Sequence, residues 1–353
     1  MTPGHRPQID ALRALAVLGV LAGHFIWSNG VTAQLGVRLF CVITGFLITE
    51  RLLEARATLP PGAAGPGPAL RRFYLRRFYL RRALRILPAY WLVLAALTAA
   101  DAQGFRAGAL WHLFFLSNIR AALTGSWEPW VAAHLWAVSL GVQFYLVWPL
   151  LVLRLPGRML APAIGAVGLA GILFRFGLVV GWPVDPAAPA IWVLPPASAD
   201  ALAAGALLSL GVARRVATVW IERAGCVAAA LWLAGVGLVA ADLMPAPAAL
   251  TYAGGGLLDM IVFAGLVALA DRGAGGLAGS ILTLPLLLGL GRISYGVYLF
   301  HLPALALLAR LGLATHHGVV LFFAAGAATV AIALASWHMV ERPFLGLKER
   351  RAP

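Results

Sequence analysis

Apolar residues dominate this chain in long unbroken runs, and about ten of them approach bilayer-spanning length. The pattern predicts helices over Ala11–Trp27, Leu35–Leu53, Pro88–Asp101, His134–Leu153 and Leu160–Trp182. Five more follow at Asp200–Val212, Ala224–Ala241, Leu250–Ala270, Ser294–Leu313 and Val319–Val340. The runs are continuous, with none of the short alternating segments that build a membrane barrel. The expected fold class is therefore all-α, a polytopic transmembrane helical bundle. Between the second and third runs, Leu59–Pro68 reads as a flexible Pro/Gly/Ala linker, and Leu70–Ile86 as a basic helix at the membrane interface. The piece Leu110–Leu116 is apolar but too short to span.

Composition agrees with this pattern. Of 353 residues, 61% are hydrophobic and only 11% charged, with a mean hydropathy of +0.88. The net charge of +14 would raise nucleic-acid binding in a soluble chain. Here the arginines gather between apolar runs, as the positive-inside rule requires of cytoplasmic loops. Nine of them lie from Arg51 to Arg85. The order of spans puts this stretch, Arg154 and Arg158, Arg214 and Arg215, and both termini on the cytoplasmic side. The expectation is one integral membrane domain over residues 1–353, with a cytoplasmic basic loop at 54–87, in the inner (cytoplasmic) membrane and with no nucleic-acid partner. Asp10 and Arg13 precede the first apolar core and no small-x-small site follows it, so that core reads as an uncleaved span. Cys41 and Cys226 imply neither a disulfide framework nor a metal site.

Within the basic stretch, Phe73-Tyr-Leu-Arg-Arg77 is followed at once by Phe78-Tyr-Leu-Arg-Arg82. Five residues turn a helix by about 140°, so the duplication distributes arginine around the axis. Two roles fit: anchoring to anionic lipid headgroups, and a wall that contacts phosphates.

Arg13 and His24 stand eleven residues apart in the first span. That is close to three helical turns, so both lie near one face, roughly 16 Å apart along the axis. A cation and an imidazole in an apolar segment need a partner, water or a function.

Several segments together resemble the acyltransferase 3 family of integral membrane acyltransferases. They are Ile9-Asp10-Ala-Leu-Arg13 through His24; Gly36-Val-Arg-Leu-Phe40 through Thr44-Gly45-Phe46-Leu-Ile48; and Phe78-Tyr79-Leu-Arg81-Arg82-Ala-Leu-Arg85-Ile86-Leu-Pro88. His134-Leu-Trp136, Gln143-Phe144-Tyr145, Gly291-Arg292-Ile-Ser294-Tyr295 through Tyr298 and His301, and Glu341-Arg-Pro343 complete the set, in the family's order. Two positions depart from the family pattern: Gly141 stands where it carries a glutamate, and Ser198 where it tends to carry an arginine. The resemblance implies transfer of an acyl group, often acetyl, from cytoplasmic acyl-CoA to a hydroxyl of a sugar or similar acceptor.

Such chemistry needs a base for the hydroxyl proton, a stabiliser for the tetrahedral oxygen, and a grip on the CoA phosphates. His24 suits the first task. From the cytoplasmic end of span one it is expected about 20 Å into a core roughly 30 Å thick. Asp259, mid-span, is the candidate to orient it, ahead of Asp200; pairing of Asp259 with Arg175 is the structural alternative. Tyr145 and Gln143 are candidates to hydrogen-bond the reacting carbonyl. Arg13, Arg81, Arg82 and Arg85 are candidates for donor phosphates. Arg292, Ser294, Tyr298 and His301 form a polar band that lines a tunnel or joins helices. Acyl-CoA is expected as a cosubstrate, with no bound cofactor and no metal; the other partners are a carbohydrate or other hydroxyl acceptor and membrane lipids. Two other functions share these features: transport of a polar or lipid-linked solute, and a catalytically silent relative.

Overall fold

The computed structural model describes residues 6–27, 30–58, 68–181, 189–214, 218–240, 255–314 and 318–350. Among these no strand occurs. The helices are α1 (Pro7–Phe25), α2 (Gly30–Ala57), α3 (Pro68–Ala100), α4 (Ala109–Leu113), α5 (Ser117–Thr124), α6 (Leu135–Arg154), α7 (Gly157–Gly181) and α8 (Ala190–Val193). They continue as α9 (Ala199–Ala213), α10 (Val219–Ala240), α11 (Gly255–Arg272), α12 (Gly276–Leu282), α13 (Pro285–Arg292), α14 (Ser294–Arg310), α15 (Val319–Ser336) and α16 (Arg342–Arg350). Each of the ten predicted runs falls on a helix over its described residues. By length and apolarity, seven helices among the described residues suffice to cross a membrane, and an eighth crossing is added if α13 and α14, bent by 75°, are one span. The chain is a polytopic helical membrane bundle.

The linker expected at Leu59–Pro68 lies outside the described residues except for Pro68, where α3 begins. The basic helix and the third span are not separate. They form one helix of 33 residues that runs through Pro88. At 1.5 Å per residue it is about 50 Å long, well beyond the roughly 30 Å apolar core, so its arginine half extends past the core. The two copies of the repeat face different surroundings. In the first copy Phe73, Arg76 and Arg77 are exposed, whereas Arg82 of the second lines an internal cavity together with Arg85, one turn further on. Arg77 and Arg82 hold the same place in their copies, and the 140° step of about five residues separates their directions.

Small residues let the central helices approach. A Cβ at Gly45 of α2 would collide with the Leu202 carbonyl of α9, and one at Gly205 of α9 with the Val42 carbonyl of α2. Close backbone approach of this kind replaces the hydrophobic drive that lipid does not supply. Beside this crossing lies a buried ion network. Arg175 of α7 donates from Nη1 and Nη2 to the two carboxylate oxygens of Asp200, both at 2.7 Å. From α2, Arg38 donates to the same carboxylate at 2.9 and 3.4 Å, and its Nη2 also reaches the Gly256 carbonyl of α11. Asp259 of α11 is 3.6 Å from Arg38 Nε. One carboxylate thus ties α2, α7 and α9 together, and Arg38 adds α11.

Removing one member of a buried ion pair strands the others, at a cost of about 3–5 kcal/mol. Asp200→Ala is expected to lower stability by that amount, read from the thermal transition of the detergent-solubilised protein. Gly205→Ala forces α2 and α9 apart and is expected to cost about 1–3 kcal/mol in the same measurement.

Candidate active site

An internal cavity of about 480 Å³ opens at the arginine-rich end of the bundle. Arg6, Arg13, Arg51, Arg82 and Arg85 surround its mouth with Asp10 and Glu50. Several of these charges are already paired. Arg13 meets Asp10 at 2.9 Å, and Arg6 meets Glu50 at 2.7 Å and Asp271 at 2.8 Å. Arg82 and Arg85 form no ion pair among the described residues. The Arg82 guanidinium lies over the rings of Phe78 and Tyr145, at 5.6 and 5.5 Å. Stacking holds its plane while leaving its N–H edge free for an anion.

The walls turn apolar with depth, with Phe40 and Val37 on α2, and Val138 and Ala137 on α6. Gly141 is part of the wall, and a Cβ there would meet nothing within 4 Å. On α14 the cavity touches Ser294, Tyr295 and Tyr298. Two of these hydroxyls are held by backbone: Tyr295 Oη donates to the Ile86 carbonyl at 2.9 Å, and Tyr298 Oη to the His134 carbonyl at 2.8 Å.

Behind Tyr298 lies a layer of three imidazoles. His301 packs against His24 with ring centroids 5.2 Å apart, and against His134 at 4.7 Å. The Tyr298 ring is 5.7 Å from His134 and 5.5 Å from His301. His134 and His301 are buried, and His24 is half-buried. A second cavity, of about 400 Å³, lies beyond the layer and is lined by Gln103, Trp130, Val131, Leu305 and Arg310 among others. The spacing on α14 gives the order: Tyr298 touches the first cavity, His301 belongs to the layer, and Leu305 touches the second. These steps of three and four residues are about 4.5 and 6 Å along the axis. The chain around His134 repeats it, with Val131 at the second cavity and Ala137 at the first.

The structure thus brings together His24, Tyr298 and His301 in depth, and Arg13, Arg82, Arg85 and Tyr145 at the mouth. Other candidates lie elsewhere. His24 is in the last turn of α1, which ends at Phe25, at the end away from the arginines. Asp259 stands with Arg38 rather than with His24, and Arg175 is taken by Asp200 instead of Asp259. Gln143 spends its amide on Asn118, 2.9 and 3.0 Å, and on the Phe115 carbonyl, 2.9 Å. Arg81 is absent from the cavity lining, and Arg292 is exposed at the bend between α13 and α14. Tyr145 is level with Arg82, eight residues from Ala137, and so nearer the mouth than the reacting end by about 12 Å.

His134 was not among the site residues expected from sequence. It directly precedes α6, at the first position of the predicted helix, and its ring partner is on α14. Its only sequence signal is its place in the His134-Leu-Trp136 segment.

Known proteins resemble the chain along its length. It is 27% identical to the peptidoglycan O-acetyltransferase OatA of Listeria monocytogenes, over 96% of this chain and 55% of that protein. It is 33% identical to the putative peptidoglycan O-acetyltransferase YrhL of Bacillus subtilis, over 42% of this chain and 24% of that one. A putative membrane-bound transacylase of Komagataeibacter xylinus, BcsY, is 26% identical over 99% of this chain and 85% of its own length. The chain spans about half the length of the Listeria relative. No solved structure matches it. The model of the acyltransferase 3 family, described as an acyltransferase domain, matches residues 6–338, and with the match covering almost all of its length, the chain belongs to that family.

Proposed function

We propose that this protein is a membrane O-acyltransferase that moves an acyl group, acetyl in the simplest case, from cytoplasmic acyl-CoA to a hydroxyl of a cell-envelope carbohydrate. The observation that carries this reading is a layer of three imidazoles with a cavity on either side, one lined by Tyr298 and the other by Leu305, each about one turn from His301. A donor enters from the arginine-rich side, an acceptor from the other, and the base lies between them.

The dimensions favour CoA. From Arg51 to Val37 the first cavity follows fourteen residues of α2, about 21 Å of helix. A pantetheine arm is a chain of twelve atoms, as long as roughly four extended residues, or ~14 Å. With its phosphates on Arg82 and Arg85, the arm brings the thioester toward Tyr298, one turn short of His301. Guanidinium groups without a carboxylate partner suit those phosphates. The acceptor oxygen attacks the thioester carbonyl and forms the C–O bond. His24 takes the hydroxyl proton, the C–S bond breaks, and the proton is returned to the departing thiolate, giving an ester and free CoA. The named activities of the Listeria and Bacillus relatives support a glycan acceptor. The arginine distribution supports a cytoplasmic mouth and cytoplasmic termini in the inner membrane.

Membranes containing the protein, given radiolabelled acetyl-CoA, are expected to pass label to envelope carbohydrate. His24→Ala is expected to reduce this by about 10²–10⁴-fold, the usual worth of a general base. Arg82→Gln and Arg85→Gln are each expected to raise KM for acetyl-CoA by about tenfold or more, as loss of a charge-assisted hydrogen bond predicts. Solute flux with no label transfer would favour transport and overturn the proposal.

A further inference from the structure

The three imidazoles are not equivalent, and their hydrogen bonds set them apart. His134 Nε2 is 2.9 Å from the Leu299 carbonyl oxygen. His301 Nδ1 is 2.6 Å from the Tyr298 carbonyl oxygen. A carbonyl only accepts, so each of these nitrogens carries the hydrogen. In a neutral imidazole the other nitrogen is then a bare lone pair. Backbone geometry therefore fixes complementary tautomers, with the lone pair on Nδ1 in His134 and on Nε2 in His301.

Both lone-pair nitrogens are buried, and neither has a hydrogen-bond partner among the described residues. His134 is 3% exposed and His301 is fully buried. Their ring centroids are 4.7 Å apart, with the planes at 68°. Two adjacent buried acceptors with no donor are an incomplete arrangement. A proton completes it, shared by the two rings directly or across one hydroxyl oxygen.

We infer that His134 and His301 act as one proton-holding pair beside His24. The acceptor hydroxyl meets the half-buried His24 first. As its oxygen bonds to the thioester carbon, the proton passes from His24 to the pair and rests between His301 Nε2 and His134 Nδ1. It returns by the same rings to the thiolate sulfur when the C–S bond breaks, so no proton is gained or lost overall. The two carbonyls do the work that a carboxylate does for other catalytic histidines, holding the tautomer and favouring the imidazolium that forms. This inference rests on the acyl-transfer reading above.

Amide side chains test it because they keep the backbone hydrogen bond and remove the lone pair. In His301→Asn, the Asn Nδ2 replaces the ring Nδ1 as donor; in His134→Gln, the Gln Nε2 replaces the ring Nε2. Membranes carrying the full chain are given radiolabelled acetyl-CoA, with the envelope glycan of the expression host as acceptor. Each variant is expected to lose about 100-fold or more in kcat while KM for acetyl-CoA stays within about threefold. Groups that act as a unit are not additive, so the double variant is expected to lose no more than the worse single one. A merely structural role would instead give losses that multiply. The pair is overturned if either single variant keeps kcat within about threefold of the parent, or if the two losses multiply in the double variant. If one variant does not accumulate in the membrane, the other decides by the same threshold. Parent membranes that transfer no label defeat the acyl-transfer reading itself, whereas an active parent with active variants defeats only the pair.

Discussion

The grip of two guanidinium groups on the Asp200 carboxylate is the contact from which the rest of the bundle takes its position. In surroundings without water, none of these three charges is tolerable alone. Satisfying them requires α2, α7 and α9 to be in register at one level, and Arg38 extends the requirement to α11 through the Gly256 carbonyl and Asp259. The glycine crossing of α2 and α9 makes that register compact. α2 is also the partner of α1, where Gly36 abuts the Ala16 carbonyl and Gly23 abuts Ala33. The helix that carries His24 is thus held against one that the ion network has already placed.

On this scaffold the site is assembled from two helix ends and the middle of a third helix. His24 is in the last turn of α1, His134 just ahead of α6, and His301 at the middle of α14. The two carbonyls that fix the ring tautomers, Tyr298 and Leu299, are both inside α14, and Pro303 in the same helix has no N–H to give the Leu299 carbonyl. Gly141, where the family pattern carries a glutamate, faces open cavity. A chain that lacks a carboxylate there still has oriented imidazoles, because their orientation comes from main-chain oxygen.

The arginine repeat shows how local periodicity and tertiary environment divide the work. Helical geometry alone requires Arg77 and Arg82 to point in different directions. Only the packing of α3 beside α6, through the Tyr79 hydroxyl on the Leu146 carbonyl at 2.9 Å, decides which direction is the cavity and which is the exterior. The polar residues of α6 were misleading for a similar reason. Gln143 looks available in the sequence, but its donors and acceptor are consumed by Asn118 and Phe115 from the segment that precedes α6. Tyr145 is a wall residue whose ring supports Arg82, a contact that depends on the helix pairing.

The sequence by itself determined the fold class, because apolar runs of bilayer length admit only helices whose backbone bonds are internal. It also determined the arginine-rich side, since charge cannot be left inside the apolar core at low cost. The ordered motifs indicated the family and included every ring of the imidazole layer, although His134 was not singled out. Tertiary structure alone decided the partners. Asp259 sits with Arg38 because α11 packs against α2, and His134 faces His301 because the turn just ahead of α6 packs on α14, more than a hundred residues away. Pairings of that kind depend on the distance between helix faces, and no spacing along a single helix encodes it.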